Sequence, residues 1–166
     1  MIRRSYTCIF FIIVLVVLSG SGGQTAAQVV KGTKSEKMLQ EIKAVYKPFN
    51  GKDAFLISYT GKELKEISVI TVESGSAISV SADVAAGREI ELTADVMRKL
   101  LEFSSRADYI KVGISDIGSI RVQCEQDLVT MRSKFFGEIL DQVAAGAEEV
   151  AAILRPVRKK TTGIEK

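Results

Sequence analysis

Residues 92–154 read LTADVMRKLLEFSSRADYIKVGISDIGSIRVQCEQDLVTMRSKFFGEILDQVAAGAEEVAAIL, and the periodicities within them decide the fold. Val96, Met97, Leu100, Leu101 and Phe103 recur at helical spacing, with Thr93 as N-cap and Asp95 in the first turn, where the helix dipole favours negative charge. The period then shortens to two. Ile110, Val112 and Ile114 point one way in a first strand; Ile120, Val122 and Cys124 do so in a second. Ser115 to Ser119 is the hairpin loop, with Gly118 placed for positive φ. A long helix follows, from about Leu128 or Thr130 to Leu154, on the spacing of Phe136, Ile139 or Leu140, Val143, Ala147, Val150 and Leu154. Roughly 25 helical residues reach ~37 Å, more than a small sheet needs for cover. Part of this helix is therefore expected to be free for a partner, with the small residues 144–147 (AAGA) allowing close helix approach.

Upstream, a first helix is expected from about Ser35 to Lys47. Thr33 and Glu36 stand in capping-box relation, Met38, Leu39, Ile42, Val45 and Tyr46 form one apolar face, and Pro48 is the stop. Three strands follow at Ala54–Tyr59, Leu64–Glu73 and Ala77–Val84. The last alternates Ile78, Val80, Ala82 and Val84 against Ser79, Ser81 and Asp83, so one sheet face is packed and the other wet. The expected class is α+β: two layers, a five-stranded mainly antiparallel sheet, and the order α-β-β-β-α-β-β-α.

The beginning of the chain speaks to location. Arg3 and Arg4 precede an apolar run from Cys8 to Leu18, then a small and polar stretch with Thr25 and Ala27 before Gln28. This is the pattern of a secretory signal peptide over 1–27. The run is about half the ~20 residues that span a bilayer. Counting from Ser5 to Gly23 lengthens it toward an uncleaved N-terminal anchor, the weaker reading. The pattern predicts an exported, periplasmic or extracellular protein: a flexible lead-in over 28–34, one domain over 35–155 and a basic disordered tail over 156–166.

Composition removes several chemistries. The sequence has no histidine, so imidazole metal ligands and Ser-His or Cys-His pairs are excluded. Of two cysteines, Cys8 lies in the leader, leaving Cys124 with no partner for an intramolecular disulfide. The net charge is +3, of which the leader arginines carry two, so a nucleic-acid partner is not expected. No glycine-rich phosphate loop, cofactor motif or metal-ligand spacing is present.

The order of elements resembles the class I type III secretion chaperone fold, shared with YbjN-domain proteins. The likeness is strongest in the helix LTADVMRKLLEF, the hairpin YIKVGISDIGSIRVQC and the alanine-rich helix after it. The resemblance implies a non-enzymatic binding module that dimerises and holds extended polypeptide segments in apolar grooves. This chain differs from the secretion chaperones in its export signal and near-neutral charge.

Individual residues give finer expectations. Phe135 and Phe136 cannot both face one core, so one of them either marks a partner surface or is covered by a sheet edge or loop. Arg155, Arg158, Lys159 and Lys160 are candidates for contact with an anionic lipid or polymer surface. Cys124 is expected to be a buried small hydrophobe. The leading functional reading is an exported, chaperone-like protein-binding domain, a homodimer without cofactor, with apolar contacts and strand addition at a sheet edge as binding modes. The alternative is a structural envelope component held near an anionic surface by its basic tail. Carboxylate or lysine catalysis is a third reading for which the sequence offers no constellation.

Overall fold

The computed structural model describes residues 32–51 and 53–158. Residues 1–31, Lys52 and the residues from Lys159 onward lie outside that range, and with them the segment expected to be a signal peptide. The elements are α1 (Lys34–Glu41), β1 (Tyr46–Pro48), β2 (Ala54–Tyr59), β3 (Ile67–Ser74), β4 (Ala77–Ala86), α2 (Ala94–Arg106), β5 (Lys111–Ile114), β6 (Ser119–Asp127) and α3 (Ser133–Leu154), with 3₁₀ turns at Gly87–Glu89 and Arg155–Val157. All neighbouring strands pair antiparallel in the order β1-β2-β3-β4-β6-β5. α3 lies against β3, β4 and β6, while α1 packs beside it and α2 packs on it and on β5.

The expected α+β class and element order hold, with six strands in place of five. The extra strand is where the first helix was expected to continue. α1 ends at Glu41 because Lys43 adopts φ 57°. Its N–H donates to Gln40 O at 3.0 Å and that of Ala44 to Leu39 O at 2.9 Å, the paired bonds of a Schellman cap. Glycine usually occupies that left-handed position, and lysine gives no such signal. The freed chain runs as β1 along β2, pairing Tyr46 with Ile57 and Pro48 with Phe55. Val45, expected on a helical apolar face, is 87% exposed.

The packed face of the sheet carries Phe55, Ile57, Val69, Ile78, Val80, Ala82, Ile120, Val122 and Cys124, all buried. Against it α3 places Phe136, Ile139, Leu140, Val143, Ala147, Val150 and Leu154, also buried. The helix begins at Ser133, later than expected, and is engaged along its length, which corrects the expectation of a free portion. Its small residues have a different use. A Cβ on Gly146 would lie 2.4 Å from Ile110 Cδ1 and 3.3 Å from Phe103 Cζ, so glycine lets α3 settle onto α2 and the sheet.

Polar contacts fasten the ends. Glu148 on α3 accepts the N–H groups of Lys62, Glu63 and Leu64 at 2.8–3.0 Å, gathering the β2–β3 loop onto the helix. Glu73 accepts Ser35 N–H at 3.0 Å and its hydroxyl at 2.8 Å, tying the start of α1 to β3. Thr71 is fully buried on the packed face, and its Oγ1 has no hydrogen-bond partner among the described residues.

An unpartnered buried hydroxyl costs about 1–3 kcal/mol. Thr71→Val is therefore expected to raise the unfolding free energy by about 1 kcal/mol in urea titration. A fall in the urea midpoint would contradict this. Gly146→Val is expected to lower stability by at least about 1–3 kcal/mol, the range for overpacking a core.

Candidate functional site

α2 carries more apolar side chains than one helical face can bury. Val96, Leu100 and Phe103 fill positions i, i+4 and i+7 and are buried. One residue further on, about 100° around the helix, Met97 and Leu101 repeat the spacing, 41% and 67% exposed. Ser104 continues this second stripe, and its Oγ accepts the Val112 N–H at 3.0 Å. Lys111 Nζ donates to the carbonyls of Ser104 and Ala107, capping the C-terminal end of α2. The second stripe thus stands beside β5, at one edge of the sheet.

β5 enlarges the patch. Ile114, expected to share a buried face with Ile110 and Val112, is 63% exposed at the strand end. Ile117 at the turn is 81% exposed. The turn itself is built as its residues require: Gly118 has φ 78°, and its N–H donates to Ser115 O at 2.8 Å. Between Leu92, Met97, Leu101, Val112 and Ile114 lies an apolar groove of about 80 Å³. This is smaller than the ~300–1,000 Å³ typical of small-molecule ligand pockets.

Among the described residues, no group of three or more His, Cys, Asp or Glu side chains is arranged to hold a metal ion. No described helix is long and apolar enough to cross a membrane. Cys124 is buried, and desolvation pushes its thiol pKa up, opposed in part by a 3.6 Å contact from the Gln126 amide. That environment disfavours the thiolate a nucleophile needs.

The expected site residues separate. Phe136 is fully buried and belongs to the core, which removes it as a partner surface. Phe135 is partly buried and meets the half-exposed Tyr109 edge-to-face at 5.2 Å. Arg155 pairs with Glu63, its Nε donating at 2.7 Å. Arg158 donates to Val84 O at 2.9 Å and bridges Ile90. Two of the four candidate tail cations are thus held by the fold; Lys159 and Lys160 lie outside the described residues. The α2–β5 patch was not singled out from the sequence. Its signal was present in the adjacent pairs Val96-Met97 and Leu100-Leu101, which exceed one buried stripe.

No protein-family model matches the chain, and no curated protein does. Solved structures do match it. One is a chain of the heterodimeric ExoU–SpcU complex from the type III secretion system of Pseudomonas aeruginosa. It is 13% identical with a TM-score of 0.55, over 73% of this chain and 98% of that one. A chain of the ExsC–ExsE complex matches at 16% identity and TM-score 0.54, over 75% and 96%. YbjN from E. coli matches at 12% identity and TM-score 0.52, over 75% and 93%. The fold is therefore that of the type III secretion chaperones and of YbjN.

Leu100 and Leu101 provide an internal contrast. Leu100→Ala is expected to cost about 2–5 kcal/mol, as for other buried leucines. Leu101→Lys is expected to leave unfolding free energy within about 0.5 kcal/mol while reducing binding of an apolar dye. Equal destabilisation by both would show that Leu101 serves the core.

Proposed function

We propose that this protein is an exported, non-enzymatic protein-binding domain of the chaperone kind, which takes its polypeptide partner on the apolar face between α2 and β5. The observation that carries this reading is the groove in which Leu92, Met97, Leu101 and Ile114 come together, each with its side chain exposed, at one edge of the domain. Exposed apolar patches rimmed by polar residues mark interaction surfaces. The fold supports the same class of function, since two of the matched structures are complexes of two different proteins. The leader-like residues 1–27 support export.

Contact through side chains suits the face better than strand addition. The Val112 N–H of β5 is already taken by Ser104, and the opposite edge strand, β1, is three residues long and includes Pro48, which has no N–H. Without another polypeptide, a second copy of the chain is the natural occupant, because a two-fold axis places the same apolar residues opposite one another. The alternative of a structural component held by a basic tail is less well supported, since Arg155 and Arg158 are engaged within the fold.

Light scattering on the purified protein is expected to give a dimer, dissociated at least tenfold more readily by Leu101→Asp or Ile114→Asp, about 1.4 kcal/mol. A crosslinking pull-down from the native cells is expected to recover one or two exported polypeptides, lost with the same substitutions and kept when residues 159–166 are deleted. Recovery of bulk envelope material alone, lost with the tail, would favour the structural alternative.

A further inference from the structure

The segment after α3 is built into the fold at a place that bears on the apolar face. β4 has a register shift between Asp83 and Ala85: Asp83 pairs with Arg121 and Ala85 with Ile120, while Val84 has no partner in β6. The Val84 carbonyl accepts the Arg158 guanidinium at 2.9 Å. Arg158 also forms an antiparallel bridge with Ile90, and the Glu91 N–H donates to Val157 O at 3.3 Å. Val157 packs against the core, and Ile90 is 5% exposed.

Ile90 and Glu91 lead directly into Leu92, which lines the groove, and into Thr93, the N-cap of α2. The other end of this connector is pinned as well. Gly87 N–H donates to Gly118 O at 2.9 Å, and a Cβ there would lie 2.4 Å from that carbonyl oxygen. The connector therefore joins the turn bearing Ile117, the rim residue Leu92 and the first turn of α2. Its path is set from one side by Gly118 and from the other by Val157 and Arg158.

The geometry points to Val157–Arg158 as a strap that positions the β4–α2 connector and thereby holds the apolar face in its binding form. Resting on the function proposed above, this makes the C-terminal end of the domain a control point for that face. Displacing the strap frees the Ile90 bridge and the Glu91 N–H bond, loosening Leu92 and the start of α2 while the sheet and α3 keep their packing. Arg155 is a built-in control, because its side chain pairs with Glu63 in the β2–β3 loop and not with the connector.

Amide hydrogen exchange on the full-length free protein tests this directly. Arg158→Ala is expected to speed exchange of the amides of residues 90–97 about tenfold, with those of β3, β6 and α3 unchanged. Arg158→Lys, which keeps a donor for Val84 O, should restore much of the protection, and Arg155→Ala should leave residues 90–97 as in the parent. Acceleration confined to residues 84–86, or spread evenly over the domain, would overturn the strap. Because exchange is read without a partner, a positive result alongside a face that binds nothing would retain the strap and reject the proposed function.

Discussion

The structure depends on the seating of α3 against the sheet. From Phe136 to Leu154 the helix presents a continuous buried stripe to β3, β4 and β6, and the other two helices find their places by packing beside it. Close approach is a condition of that seating, because interiors are packed to crystal-like density. Gly146 supplies it where Ile110, Val122 and Phe103 converge. These residues come from the approach to β5, from β6 and from α2, so one missing side chain lets three separate elements meet. The wet face of the sheet needs no such accommodation and carries Ser79, Ser81, Asp83 and Arg121.

The exposed apolar face follows from the same geometry. α2 sits at the β5 end of the sheet and, among the described residues, packs mainly on α3 and β5. Val96, Leu100 and Phe103 use that cover, and Met97 and Leu101 are left over. The strand beside them is short, and its turn projects Ile117 outward. An apolar edge of this kind is a liability for a protein that works alone and an asset for one that binds another chain. Its groove is small and lined mainly by apolar side chains.

The remaining fasteners are ionic or polar and join elements distant in sequence. Glu148 gathers the β2–β3 loop, Arg155 grips Glu63 in that loop, and Arg158 fills the acceptor left by the irregularity in β4. The first two fix the β2–β3 loop, and the third ties the C-terminal turn to β4. The C-terminal residues read from composition as a solvated basic tail are, as far as Arg158, part of the architecture.

Local rules read from the sequence determined much of this protein. The β2 range, the Thr93 cap, the positive φ of Gly118 and the apolar stripe of α3 all follow from periodicity and turn chemistry, which depend on neighbours along the chain. The order of elements, and with it the resemblance to the secretion chaperones, follows from the same signals. What only the tertiary structure decided turns on which side chains find cover. Lys43 ends α1 in a conformation usually marked by glycine, and Tyr46 then packs edge-to-face on Phe55 from a sixth strand. Phe136 is core and Phe135 is not, because α3 turns one toward the sheet and the other toward Tyr109. Leu100 is buried and Leu101 exposed for the same reason. A helical pattern says that residues share a face; the packing of other elements decides whether that face meets protein or solvent.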